Sequence, residues 1–260
     1  MNILDTIVAK KRIEVENSKI LQPIDILEKS AYYSRSCISI SKALQRSNAS
    51  GIIAEHKRKS PSKGVINDQL NVKDVVSSYE SAGASAVSIL TDETFFGGSN
   101  KDILSVRNAI NIPILRKEFI VDEYQIHEAK SIGADLVLLI AACLTPLEVK
   151  SFANLANQLG MEVLLELHEE DEFSHICDEV QLVGINNRSL KTFSVDIERS
   201  LEMASKIPSQ KIKVAESGIN HASEVKIFRE HGYKGFLIGE NFMKSNHPGD
   251  SLQSFINELK

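Results

Sequence analysis

One short pattern keeps returning along this chain: a helical stretch stops at glycine and an apolar run rich in Val, Ile and Leu follows. Gly83-Ala84 leads to Ala86-Val87-Ser88-Ile89-Leu90, and Gly133-Ala134 to Leu136-Val137-Leu138-Leu139-Ile140. Gly160-Met161 leads to Val163-Leu164-Leu165-Glu166-Leu167, and Gly232-Tyr233 to Gly235-Phe236-Leu237-Ile238-Gly239. Each glycine stands where a helix end needs a left-handed residue. Their spacings are about two, one and three units of roughly 25 residues, the signature of a repeated supersecondary unit. Gly51–Glu55, Ile112–Lys117, Leu182–Asn186 and Ile212–Glu216 fill the missing registers and bring the strand candidates to eight. Such near-continuous apolar runs suit strands buried on both faces of a parallel sheet. Amphipathic helices lie between them: Val72–Ala82 is apolar at 72, 75, 76, 79 and 82, and Pro146–Leu159 starts from Thr145 as N-cap. Eight βα units predict an α/β protein of the (β/α)₈-barrel type. An open doubly wound sheet is the alternative, but no GxGxxG follows the first strand.

About 50 residues precede the first strand, too few for a core of their own. Residues 3–18 read as helical. The chain is therefore expected to be one domain, 1–260, with 1–50 as a helical extension packed on the barrel. At 42% hydrophobic and 25% charged residues it is ordinary for a globular protein and unlike a disordered chain. Its longest apolar run, Leu136–Leu144, is too short to cross a bilayer, and no apolar leader opens the sequence. A cytoplasmic protein without membrane contact is expected. The net charge of −5 gives no basic excess for nucleic acid. Cys37, Cys143 and Cys177 are scattered and the seven histidines form no HExxH, so neither disulfides nor a metal site are expected.

The chemistry of a barrel sits at the C-terminal ends of its strands, and here those ends are charged. The first strand runs into Glu55-His56-Lys57-Arg58-Lys59-Ser60, the second into Thr91-Asp92, and the third into Lys117-Glu118. Glu166 lies within the fifth. The sixth ends in Asn186-Asn187-Arg188, the seventh in Glu216-Ser217-Gly218 and the eighth in Gly239-Glu240-Asn241. Glu55 and Glu166 interrupt apolar runs, so burial would raise their pKa values unless cations such as Lys57, Lys117 or Arg188 answer them. Carboxylates converging with lysines are what acid–base chemistry needs. The glycine turns after strands seven and eight stand where this fold usually holds phosphate, and Ser60 could add a hydroxyl.

Several of these segments resemble the signature of indole-3-glycerol-phosphate synthases. They are Ile52–Gly64 (IIAEHKRKSPSKG), Pro113–Ile120 (PILRKEFI), Leu165–His168 (LELH), Gly184–Leu190 (GINNRSL), Ala215–Ile219 (AESGI) and Leu237–Gly239 (LIG). The resemblance runs in one order from the N-terminal helix to the last strand, and it implies a barrel with a helical extension. It also implies a reaction without cofactor or metal: ring closure of 1-(2-carboxyphenylamino)-1-deoxyribulose 5-phosphate to indole-3-glycerol phosphate, with loss of carbon dioxide and water, in tryptophan biosynthesis. By that resemblance Lys117 is the acid that protonates the ketone oxygen. Lys57 holds the substrate carboxylate and is a candidate acid in dehydration. Glu166 is the general base or stabilises a cationic intermediate, and Glu55 partners Lys57 and Lys117. Asn186 and Arg188 position the substrate, and Glu216 binds its hydroxyls. Ser60, Ser217, Gly218, Gly239 and the backbone of Glu240 hold the phosphate. Phe95, Phe96, Phe119 and Leu190 are candidates to cover the aromatic ring. The only partner implied is the phosphorylated small molecule, and the protein is expected to be a monomer.

His56 departs from the family pattern, which more often has an apolar or aromatic residue there. Alternation turns it towards the helices, so a neutral, packed histidine is expected. Three other readings compete with the synthase. Lys117 could form a Schiff base, as in class I aldolases. The preceding isomerase of the same pathway is a second phospho-sugar barrel, and a barrel that binds a phosphorylated ligand without turnover is the third.

Overall fold

The computed structural model describes residues 3–188 and 194–260. Eight strands follow the eight apolar runs: β1 (Ile52–His56), β2 (Ala86–Leu90), β3 (Ile114–Lys117), β4 (Leu136–Ile140), β5 (Glu162–Leu167), β6 (Leu182–Asn186), β7 (Ile212–Glu216) and β8 (Tyr233–Ile238). Each pairs in parallel with its sequence neighbours, and β1 pairs with β8 to close the barrel. The expected (β/α)₈ architecture is thus the one observed.

Alternation then sorts every strand. Ile53, Leu115, Leu138, Leu164, Leu182, Val214 and Leu237 fill the barrel interior. Their neighbours, Ile52, Ala54, Val163, Leu165, Val183 and Ile185 among them, face the helices. Continuing the inward parity to the strand ends turns Glu55, Lys57, Lys117, Glu166, Asn186 and Glu216 towards one axis. The interior is closed at the opposite end by the short helix Ile40–Gln45, whose Ile40 and Leu44 join the interior cluster.

The local signals hold. Gly83, Gly133, Gly160 and Gly232 all have φ between 77° and 96°, the left-handed helix end their positions demand. Thr145 and Glu148 form a reciprocal capping box at the start of Pro146–Gln158. The fifth connection is different, with a 3₁₀ helix, Glu170–His175, in place of an amphipathic α-helix. Phe173 is the one residue of this 3₁₀ helix that packs on the core, with Ile176, Cys177 and Val180 following it, too narrow a stripe to hold a full α-helix in place.

The N-terminal helix, Ile3–Leu21, lies across the C-terminal ends of the strands. Lys11 is buried and bridges Asp92 and Glu118, each at 3.0 Å. Those carboxylates follow β2 and β3. Burial works against the Lys11 charge, but Glu118 and Asp92 outweigh it and its pKa lies well above the ordinary value. Lower on the barrel, buried Asp135 ties the segment after this helix to the sheet. It accepts from Arg35 Nη2 and Ile38 N through one oxygen, and from Arg107 Nη1 and Ile114 N through the other.

Asp135→Ala would leave Arg107 buried without its carboxylate. Losing one partner of a buried pair costs about 3–5 kcal/mol, so this variant is expected to lose that much stability in urea unfolding. A loss below about 1 kcal/mol would show that the cluster does not anchor the extension.

Candidate functional site

A cavity of about 500 Å³ opens at the C-terminal ends of the strands, the size of a small-molecule site. Glu55, Lys57, Ser60, Lys117, Glu166, Asn186, Arg188, Ser217, Gly218, Gly239 and Glu240 all line it. Of the residues expected in catalysis or in holding the polar groups of the substrate, Glu216 alone does not. Its carboxylate lies behind Lys117, almost wholly buried.

Lys117 is the hub. Its Nζ donates to Glu166 Oε2 at 2.9 Å and to Glu216 Oε2 at 2.7 Å. Burial opposes the ammonium, but the two carboxylates outweigh it and hold the Lys117 pKa far above that of a free lysine. The family resemblance implies Glu55 as a partner of Lys117 as well as of Lys57. Glu55 Oε1 accepts from Lys57 Nζ at 2.6 Å, and the same carboxylate acts on Lys117 through its charge, without a hydrogen bond. The cavity floor therefore carries two groups, a Lys57–Glu55 pair and a Lys117–Glu166–Glu216 cluster.

The two carboxylates beside Lys117 are not equivalent. Glu166 Oε1 also accepts from Asn186 Nδ2 at 2.9 Å and touches His168 Nε2 at 3.1 Å. Burial would raise its pKa, but Lys117, His168 and Asn186 hold it well below the ordinary value. Glu216 has only Lys117, and its Oε1 is buried with no hydrogen-bond partner. Burial, with Glu166 nearby, pushes its pKa up to about 7 against the pull of Lys117. So one buried ammonium faces one firmly ionised carboxylate and one that holds its proton to near neutrality.

Gly184 makes this arrangement possible. A Cβ built on it would lie 2.1 Å from Glu216 Oε1, so any larger residue would push that carboxylate from its place. In register Glu166 stands beside Gly184, and Asn186 beside Glu216. The sequence shows the glycine but not what lies across it.

The opposite side of the cavity is built from the turns after β7 and β8. Ser217 has φ +67°, the one non-glycine residue in the left-handed region among the described residues, and Gly218 follows at +72°. Strain of this kind is tolerated where the surroundings fix it. Here Asn187 Nδ2 donates to Ser217 O at 2.7 Å. A Cβ at Gly239 would come within 2.6 Å of Glu55 Oε1, so this glycine lets the turn close against the charged floor. Arg188 Nη2 lies 3.8 Å from Glu240 Oε2, and Lys244 Nζ is 2.7 Å from Glu240 Oε1. Lys63, Lys244 and Arg188 thus line the same end as the expected phosphate residues.

The apolar wall is partly the expected one. Phe96 and Phe119 line the cavity with ring centres 5.9 Å apart. Phe95 does not line it: the short helix Glu93–Phe96 turns its ring beneath Lys10 Nζ, at 5.9 Å. Leu190 lies outside the described residues. Ile3, Leu4 and Ile7 of the N-terminal helix complete the wall, and only tertiary docking reveals that role. His56 is buried on the helix side of β1, and burial with Arg58 nearby pushes its pKa down to about 4, so it is neutral at pH 7 as expected. Among the described residues, no three His, Cys, Asp or Glu are grouped to hold a metal ion, and no helix is long and apolar enough to cross a membrane.

A closed parallel barrel with ammonium and carboxylate groups converging beside tight glycine turns defines a (β/α)₈ barrel built around an anionic small molecule. The family model for indole-3-glycerol phosphate synthase matches residues 4–256, and the chain belongs to that family. It is 47% identical over 259 residues to the indole-3-glycerol phosphate synthase of Bacteroides thetaiotaomicron, covering 100% of this chain and 99% of the relative. It is 42% identical to that of a Burkholderia ambifaria strain, covering 96% and 97%, and 38% identical to that of Polaromonas naphthalenivorans, covering 99% of each. Among solved structures, the tryptophan synthase alpha subunit of Legionella pneumophila superposes with a TM-score of 0.61 at 12% identity, covering 85% of this chain and 96% of its own. A mutant alpha subunit from Pyrococcus furiosus gives 0.59 at 14%, covering 81% and 98%. At such identities the likeness is one of fold.

In the fold Glu216 holds its proton to about 7, whereas an unfolded glutamate ionises near 4.5. Stability from this group is therefore full below the lower value and is lost as pH rises through the upper one. Glu216→Gln stays neutral, so its stability relative to the wild type is expected to rise as pH increases from 5 to 8. Urea unfolding of both proteins across that range measures the difference. A flat difference would show that Glu216 does not titrate there.

Proposed function

We propose that this chain is an indole-3-glycerol-phosphate synthase, and that Lys117 is its principal acid. The observation that carries the reading is the Lys117 ammonium, held between Glu166 and Glu216 at the floor of a cavity lined by Lys57 and the glycine turns. In this reading the ring carbon bearing the carboxylate attacks the ketone carbon, and the ketone oxygen takes a proton from Lys117. An ammonium already aimed at the developing alkoxide stabilises that transition state without reorganisation. The new bond makes the ring carbon tetrahedral, and carbon dioxide leaves with its bond electrons returning to the ring.

Dehydration follows. The carbinol oxygen leaves as water with a proton from Lys57, or from Lys117 once solvent has reprotonated it, and the neighbouring carbon gives up a proton to Glu166. Glu166 suits this role because its carboxylate stays ionised. Lys57, with Glu55, holds the substrate carboxylate, Asn186 and Arg188 position the substrate, and Glu216 reaches the substrate hydroxyls once Lys117 turns towards the ketone. The phosphate lies against Ser60, Ser217, Gly218, Gly239 and the backbone of Glu240, and Phe96 with Phe119 covers the aromatic ring. The chain acts as a cytoplasmic monomer with residues 1–50 as an extension of one domain.

The Schiff-base reading needs a neutral lysine amine. Two carboxylates on one ammonium oppose that, because they raise the cost of removing the proton.

Mixed with 1-(2-carboxyphenylamino)-1-deoxyribulose 5-phosphate, the wild type is expected to generate indole fluorescence. Lys117→Ala should lose turnover by a factor on the order of hundreds, as removal of an acid usually does, while still binding substrate. Substrate bound without any fluorescence would favour a binding-only barrel. Covalent substrate trapped on Lys117 by borohydride would favour the aldolase chemistry.

A further inference from the structure

His168 is the buried titratable group at the floor that ring closure and dehydration leave without a task. It lies two residues after Glu166, so alternation returns it to the same inward face. The histidine is 2% exposed and lines the cavity. Its backbone N–H donates to Glu172 Oε2 at 2.5 Å, which fixes the turn leaving β5. Its Nε2 stands 3.1 Å from Glu166 Oε1, the oxygen that also accepts from Asn186. The two atoms touch but are not aligned as a hydrogen bond, and Nδ1 has no partner at all. A buried imidazole with an unanswered nitrogen is costly unless its contact with the carboxylate compensates.

We propose that His168 is a positioning residue for Glu166: as an imidazolium it holds Oε1, keeps Oε2 on Lys117, and keeps the base ionised. This rests on the synthase reading for its kinetic consequence, though the coupling itself does not need substrate. The charges around the ring support a cationic form. Glu166 on β5, Glu172 on the following 3₁₀ helix and Glu216 on β7 all face it with negative or ionisable oxygens. Lys117 on β3 is the opposing cation, and it is already answered by two carboxylates. Cys143, from the connection after β4, feels Glu166 and Glu172 too, and burial with those carboxylates keeps it a neutral thiol. Burial alone would lower the histidine's pKa, but contact with Glu166 and the other carboxylates carries it above the ordinary 6.5. The imidazolium and the carboxylate therefore stabilise one another's charge. Losing the cation would raise the pKa of Glu166 and free its Oε1 edge.

Histidine ¹⁵N NMR of the full-length protein tests the coupling directly. The His168 resonance is identified by its loss in His168→Gln, and its midpoint is expected above 6.5 in the wild type. In Glu166→Gln it should fall by about one unit or more. A midpoint unchanged by Glu166→Gln overturns the proposal. The kinetic arm uses His168→Gln, whose amide nitrogen can reach the place of Nε2 without its charge. Its kcat is expected to fall about tenfold with KM within about twofold, and the acid limb of its kcat profile should move to higher pH. A profile that superimposes on the wild type also overturns the proposal, since a merely structural histidine would leave the limb in place. If the wild type itself makes no indole product, the synthase reading has failed, and the NMR midpoints still decide the coupling.

Discussion

A single ammonium shared by two buried carboxylates from different strands sets the terms for the rest of this site. Lys117 leaves β3, Glu166 lies within β5 and Glu216 ends β7, so only a closed barrel brings both carboxylates to one atom, at 2.9 and 2.7 Å. Charge balance follows. Two full negative charges against one positive charge would leave excess charge in a poorly solvated place. The structure resolves this by giving Glu166 further donors and leaving Glu216 with none. Glu166 is held ionised and Glu216 keeps its proton to near neutrality. Gly184 leaves the space that the Glu216 carboxylate occupies.

The surrounding fold serves to keep that focus fixed and enclosed. The interior layers of Ile, Leu and Val give the strand ends a rigid base. The N-terminal helix is clamped across the same end by buried Lys11, whose partners Asp92 and Glu118 follow β2 and β3. Its Ile3, Leu4 and Ile7 supply apolar wall beside Phe96 and Phe119. Excluding water on that side strengthens the charge interactions on the floor. The glycine turns after β7 and β8 face the other end, where Lys63, Arg188 and Lys244 add positive charge.

Much of this architecture is legible in the amino-acid sequence. Apolar runs with their glycine stops give the strand count, and Ala86–Leu90, Leu136–Ile140, Leu182–Asn186 and Ile212–Glu216 are strands with the same limits as their runs. Glu55 and Glu166 stand out because a charged residue inside an apolar run must be answered, and Lys57 and Lys117 answer them. What escapes the sequence depends on relations between strands. Lys117 is legible as a site residue, but that it hydrogen-bonds Glu216 and not Glu55 follows only from the placement of the strands around the barrel. Gly184 looks like any strand glycine until the neighbouring carboxylate is placed against it. His168 carries a faint signal, sharing its parity with Glu166, but the apolar run stops at Leu167 and gives no reason to continue the alternation beyond it. Phe95 and Phe96 are equivalent in composition, and only the rotation of one short helix sends the first to Lys10 and the second into the cavity. The apolar residues near the N-terminus can be read as a helix, but not as a wall, because docking is decided by Lys11 and its two distant carboxylates.

The proton transfer that opens the proposed reaction depends on the charge state of Lys117, and ¹⁵N-lysine NMR observes it directly. In the substrate-free protein the Lys117 Nζ, assigned by its loss in Lys117→Ala, should remain a fully protonated, slowly exchanging ammonium well above the ordinary lysine pKa of 10.5. A Lys117 that titrates to the neutral amine below about pH 9 would contradict the carboxylate clamp, remove the preformed acid, and return the lysine to the role of a nucleophile.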